Sequence, residues 1–260
     1  MAERKCVLAL GFFDGVHRGH AALLNRTIER AEALGVEGAV MTFDTHPDTL
    51  VQGTPVPLIN SAPDRANLIR RLFGIDRVEF FRFTEETMHM PWEEFLRSIQ
   101  AELGVVGFVV GYDFRFGKGG EGDPEMLKAL CRELGMECEI VEPVRVDGEI
   151  VSSTEIRRLI RNGEITRANR LLGYELSYCL PVIHGSMIGR TIGFPTINQK
   201  IPDYMVQPKN GVYKSWALVG GKTYRAITNI GVKPTVGYTG EALMETHIIG
   251  FSGDLYGKRV

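Results

Sequence analysis

The chain has 260 residues, 44% hydrophobic and 24% charged, the proportions of an ordinary globular protein with room for one large domain or two modest ones. A formal net charge of −2 gives no electrostatic argument for a nucleic-acid partner, and no apolar run approaches the roughly 18 residues of a membrane span. The opening MAERKCVLAL is basic and then apolar, but its apolar part is too short for a secretory signal and runs straight into Gly11, so a cytoplasmic protein is expected.

In chain order, CVLALGFF, GAVMTFD, RVEFFRF, GFVVGYDF and CEIVEPV are near-continuous apolar runs, as buried parallel strands should be. Between the first two, Leu24, Ile28, Ala31 and Leu34 recur at helical spacing, and Gly35 stands where a helix would stop. Ser61 to Phe73 and Pro91 to Leu103 repeat the pattern, each followed by glycine. Strand-helix-strand alternation predicts a parallel sheet with helices on both faces, and such sheets bind ligands beyond the carboxyl ends of their strands. Ser153 to Leu172 predicts one or two short helices. The character then changes. PVIHGSMIGR, GVYKSWALVGG, KTYRAITNIGV and METHIIGF are short alternating runs set among glycine, proline and threonine, which predicts a small antiparallel β domain. The boundary is placed near Ser177, giving domains 1–176 and 177–260. Cys6, Cys131, Cys138 and Cys179 are scattered, with no C-x-x-C and no metal-like spacing to histidine, so they are expected to be plain thiols.

The segment GFFDGVHRGH, Gly11 to His20, lies between the first predicted strand and the first predicted helix. A glycine-bearing turn into a helix exposes backbone N–H groups and the positive end of the helix dipole, which suits phosphate. His17 and His20 stand three positions apart and can face one side, where both could donate to a phosphate chain. Gly19 lets a ligand approach the backbone. A metal pair and two ordinary surface histidines are the competing readings; a metal pair lacks a third ligand at clear spacing. Asp14 admits two readings, turn former and site residue. His46, in THP, either lines the site or is a satisfied core histidine. The segment is not G-x-G-x-x-G. VSSTEIRRLI, from Val151, offers Ser152, Ser153 and Thr154 as caps and Arg157 as a phosphate partner; alone it would be a helix cap.

H-x-G-H in a strand-turn-helix resembles the signature of the nucleotidyltransferase superfamily, and VSSTEIR resembles its second motif. With TFDTHPDTL, VVGYDFRFGKGGEGD, GRTIGFPTIN, NGVY, NIGVKPTV and METHIIGFSGDLYGKRV in that order, the chain resembles the prokaryotic bifunctional riboflavin kinase/FAD synthetase family, from near its N-terminus to its last residue. That resemblance implies an α/β nucleotidyltransferase (Rossmann-like) domain followed by a small antiparallel β-barrel riboflavin kinase domain. It implies that the first domain transfers AMP from ATP to FMN, releasing pyrophosphate. His17 and His20 would align and stabilise the transferring group, Gly11 and Phe12 would sit in the ATP-binding turn, and Ser153, Thr154 and Arg157 would hold pyrophosphate. Asp113 matches a position contacting the nucleotide or its metal, and Lys118 lies in a glycine-rich loop read as a flap. It implies that the second domain phosphorylates riboflavin from ATP, with Thr196 and Asn198 binding Mg²⁺ and phosphates and Glu245 as general base.

The departures from the family pattern are Ile197 between Thr196 and Asn198, Glu155 where a basic residue is common, and an end at LYGKRV where related proteins continue through another strand and a helix. The last suggests a narrower alternative, an FMN adenylyltransferase with an incomplete kinase module. Adenylylation of a different phosphate acceptor, or a non-catalytic flavin-binding regulator, are the remaining alternatives. The expected partners are the small molecules ATP, riboflavin and FMN, with neither nucleic acid nor membrane, and the oligomeric state is left open.

Overall fold

Every residue from Cys6 to Leu10, in the first apolar run, is buried, as a strand flanked by two others and covered on both faces must be. The computed structural model describes residues 5–185, 193–232 and 242–260. They fall into two units: Met1–Val56, Asn60–Ser153 and Leu171–Gly173 in the first, and Pro57–Ile59, Thr154–Arg170 and Tyr174–Val260 in the second.

The first unit runs β1 (Cys6–Leu10), α1 (Arg18–Leu34), β2 (Glu37–Phe43), α2 (Pro47–Gln52), α3 (Ala62–Phe73), β3 (Arg77–Phe81), α4 (Glu85–Met88), α5 (Trp92–Leu103), β4 (Val105–Gly111), α6 (Pro124–Glu133) and β5 (Glu137–Val141), then a short hairpin, β6 (Arg145–Val146) and β7 (Glu149–Ile150). The sheet order is β3-β2-β1-β4-β5, and every neighbouring pair is parallel. Alternation along β1 feeds two cores. Cys6, Leu8 and Leu10 meet Phe95, Leu96 and Ile99 of α5 and Leu127 and Leu130 of α6. Val7 turns the other way and joins Ala31 of α1 and Val109 of β4. The edge strands β3 and β5 are only half-buried, because each has a neighbour on one side only. The chain leaves β1 toward β2 and β3, then returns to place β4 on the other flank. The reversal makes a crevice at the carboxyl ends of β1 and β4, the usual ligand position in such sheets.

α7 (Ser153–Asn162) and α8 (Ile165–Leu172), which belong to the second unit over Thr154–Arg170, precede β8 (Ile197–Lys200), β9 (Gly211–Val219), β10 (Lys222–Val232) and β11 (Ala242–Ile248). The antiparallel order is β8-β11-β10-β9. Bridges from Ile183 to Asn198 and from Pro181 to Arg259 extend the sheet beyond β8, giving it the barrel-like character of the expected class. Its inner face buries Leu180, Ile201, Met205, Ile230 and Met244, and farther along Val182, Ala217, Ala226 and Ile248. Of the motifs read in sequence, the GRTI part of GRTIGFPTIN and the KPTV part of NIGVKPTV lie outside the described residues, as does the SMIGR part of the PVIHGSMIGR run.

Candidate functional site

At the end of β1 the Gly11 N–H still bonds the Met41 carbonyl of β2 at 3.3 Å, and the chain then leaves the sheet through a strained turn. Phe13 and Val16 have positive φ, 56° and 39°, with Gly15 between them at 82°. A β-branched residue in that region is costly and persists only where its surroundings hold it. They do. Thr42 Oγ1 donates to the Phe12 carbonyl at 2.8 Å, Ser153 Oγ to the Asp14 carbonyl at 2.9 Å, and Asp14 Oδ1 accepts the Asn60 N–H at 3.2 Å. Asp14 is thus built into the turn by both its backbone and its side chain.

The turn delivers His17 as the N-cap of α1, where its Nδ1 accepts the His20 N–H at 3.2 Å. Nδ1 being an acceptor, the ring proton of neutral His17 sits on Nε2. The two imidazoles stack with centroids 3.6 Å apart and planes 12° from parallel. A Cβ on Gly19 would lie 3.0 Å from His17 Cε1, so glycine there makes room for the imidazole itself. The first turn of α1 has no acidic residue, leaving the positive helix end uncompensated for an anion. Across the crevice, Asp113 is exposed just past β4, its Oδ1 3.2 Å from where a Gly111 Cβ would stand. His46 caps α2 by accepting the Asp48 N–H, and its ring meets Phe12 edge-on at 4.5 Å. The loop around Lys118 carries the Phe116–Gly122 bridge and a hydrogen bond from the Lys118 N–H to the Met90 carbonyl at 2.9 Å.

Ser153 opens α7, Thr154 follows it exposed, and Arg157 one turn on is 8% exposed. Glu155 is bound by Arg158 at 2.6 and 2.8 Å, and that hydrogen bonding holds its carboxyl below the usual range; the acidic residue in place of the family's basic one has a local partner. Arg65 was not legible as a site residue, yet its guanidinium is fully buried beside the turn.

In the second unit, register places Glu245 of β11 directly opposite Asn198 of β8 on one side and Asn229 of β10 on the other, a polar row on one face. The Asn198 Oδ1 is buried with no hydrogen-bond partner among the described residues. A Cβ on Gly185 would lie 2.6 Å from the Asn198 Cγ, so only glycine leaves that amide its place. Thr196 is exposed just before β8. His247, two residues past Glu245 and unremarked in the sequence, bonds the Pro195 carbonyl at 2.9 Å and meets the Phe194 ring edge-on, tying the segment that carries Thr196 to β11.

A parallel sheet reversing at a histidine-bearing helix start, followed by an antiparallel sheet with an acid–amide row, defines a two-part, phosphate-handling protein. The FAD synthetase family model matches residues 1–155 and the riboflavin kinase model residues 172–260. The chain is 37% identical to a bifunctional riboflavin kinase/FMN adenylyltransferase of Pseudomonas fluorescens, over 99% of this chain and 83% of that protein. It is 34% identical to the protein of that name from Escherichia coli K12, over 99% and 82%. A crystal structure titled macrolide-efflux protein, from Streptococcus pneumoniae, superposes with a TM-score of 0.87 at 28% identity, covering all of this chain and 87% of that one. Among the described residues no helix is long and apolar enough to cross a membrane. The chain belongs to the bifunctional riboflavin kinase/FMN adenylyltransferase family.

Proposed function

We propose that the chain makes FAD from riboflavin in two ATP-dependent steps: residues 177–260 phosphorylate riboflavin to FMN, and residues 1–176 transfer AMP from ATP to FMN, releasing pyrophosphate. The observation that carries the adenylyl transfer is the stacked His17–His20 pair at the start of α1, with Nδ1 of His17 fixed as the cap acceptor. A phosphate monoester has its second pKa near about 6, so FMN phosphate is already a nucleophile at neutral pH and needs no general base. What remains is alignment with the α-phosphate and stabilisation of its charge. His17 and His20 donate to the transferring group, the turn at Gly11 and Phe12 receives the nucleotide, Asp113 faces the nucleotide or its metal, and Ser153, Thr154 and Arg157 hold the leaving pyrophosphate.

For the kinase step the nucleophile is a neutral hydroxyl, so a base helps, by typically about 10²–10⁴-fold. Glu245 takes that proton. Mg²⁺ fits this site: Asn198 offers a buried, unsatisfied oxygen, and Thr196 a hydroxyl, the hard donors that cation prefers, with phosphate oxygens and water completing its shell. Bound there, Mg²⁺ would neutralise charge on the ATP phosphates. The narrower alternative, with an incomplete kinase module, is not favoured, since both family models match this one chain. The enzyme acts on small molecules in the cytoplasm. The test is incubation with ATP and Mg²⁺, once with riboflavin and once with FMN, followed by chromatography of the flavins. FAD from both supports the two-step reading; FAD from FMN alone supports the narrower one; FAD from neither, in folded protein, overturns both.

A further inference from the structure

We propose that Arg65 is a positioning residue for adenylyl transfer: its buried guanidinium holds the Phe12 carbonyl and thereby the turn that presents His17 and His20. The proposal rests on the reading of those histidines given above. Arg65 lies in the first turns of α3, whose start is set by Ser61 as N-cap and Pro63. Its side chain is fully removed from solvent. The guanidinium fork splits. Nη1 donates to the Phe12 carbonyl and Nη2 to the Phe43 carbonyl, both at 2.7 Å. Phe12 follows β1 by two residues and Phe43 ends β2, so one cation ties together two adjacent strand ends at the mouth of the crevice. The Phe12 ring lies under the guanidinium, 4.3 Å from its carbon.

The arrangement is costly for a fold that needed only packing. No carboxylate is hydrogen-bonded to the guanidinium, and its Nε is buried with no partner among the described residues. Burial draws the Arg65 pKa down to about 10, with the charges of Asp14 and Asp44 opposing the fall, so the group remains charged at neutral pH. On an amphipathic helix a methionine or leucine would fill this volume without desolvating a charge. The guanidinium does what neither could: with Thr42 it saturates the Phe12 carbonyl, at the residue just before Phe13 takes its positive φ. The turn that carries His17 is strained, and a residue that fixes strain at a site acts through placement of the reacting groups.

The test compares Arg65→Met, Arg65→Lys, His17→Ala and Leu68→Ala in the whole chain. Leu68 shares the buried face of α3 and touches neither carbonyl bond, so it reports what loosening α3 alone does. FAD formation from FMN is measured per folded molecule, counted from the amplitude of thermal unfolding, with FMN formation from riboflavin as an internal control. Arg65→Met should lower kcat for FAD about 10²-fold, the loss expected of about 1 Å of misplacement, with KM for ATP little changed. Arg65→Lys, which keeps the charge but reaches one carbonyl, should fall between, and covers the event that Arg65→Met does not fold. Leu68→Ala should lower Tm and leave kcat per folded molecule intact, and FMN formation should be unchanged throughout. If both Arg65 variants keep wild-type kcat while His17→Ala abolishes FAD formation, the proposal is wrong and the site reading stands. Equal losses in Leu68→Ala and the Arg65 variants would also overturn it. Retained activity in His17→Ala would overturn the site reading itself.

Discussion

Gly185→Ala should silence the kinase while sparing the adenylyltransferase. The added methyl would lie 2.6 Å from the Asn198 Cγ and 2.7 Å from its Oδ1, nearly an ångström inside ordinary van der Waals contact. Gly185 is backbone beside a sheet, bridged through Ile183 to Asn198 itself, so the amide is the group that yields. Overpacking of this kind costs about 1–3 kcal/mol of stability. Displacing a substrate-positioning oxygen by about 1 Å costs about 10²-fold in rate, or about 2.7 kcal/mol in the barrier. The assay is FMN formation from riboflavin and ATP by chromatography, beside FAD formation from FMN in the same preparation. A roughly hundredfold loss confined to the first reaction is expected. Wild-type FMN formation, with folding verified, would mean that the Asn198 amide does not serve the reaction.

Glu245→Gln should remove FMN formation and leave FAD formation from FMN intact, and FMN production surviving that change would refute the base assignment. His17→Ala should abolish FAD formation with riboflavin binding retained; losing the cap to the His20 N–H should also cost the unit about 1 kcal/mol, visible as a lower Tm. Glu139 is partly desolvated, which raises its pKa, but Arg30 and Arg26 outweigh this and hold the carboxyl below its ordinary 4.5. A depressed acid contributes stability above its unfolded pKa and loses it as pH falls through the folded value. Glu139→Gln should therefore unfold earlier than wild type at pH 7, and the gap should begin to narrow near pH 4.5 and close as pH falls through the lower folded value; a gap independent of pH would count against the ion pairs. Cys6 is buried, which pushes its thiol up to about 11, whereas Cys179 is exposed, so alkylation of folded protein at pH 8 should label Cys179 and spare Cys6, as peptide mass mapping would record.

The sheet was readable because β1, β2 and β4 are central and their apolar runs are unbroken. α6 was not named in advance: it is a ten-residue helix begun by Asp123 and Pro124, and its apolar side is short. His17 and His20 could be singled out because they share one short motif. Their stacking could not, since it depends on the turn between Phe13 and Val16. Arg65 was invisible for a related reason. An arginine on an amphipathic helix reads as a solvated face, and its burial follows from carbonyls 22 and 53 positions away. His247 was likewise hidden, because the Pro195 carbonyl it meets is 52 positions distant.

The turn from Phe12 to His17 has a consequence for how this enzyme comes into being. Its two unfavourable dihedrals are offset by groups from β2, from the segment before α3, from α3 and from the first residue of α7, the last 139 positions away. No excised hairpin or β1–α1 fragment carries those partners, so the motif cannot be grafted onto a foreign strand and keep its shape. On the ribosome, the full set of partners that hold this turn exists only once Ser153 has been added to the chain. Onset of adenylyl transfer is therefore a late clock: it marks completion of the unit rather than formation of the sheet.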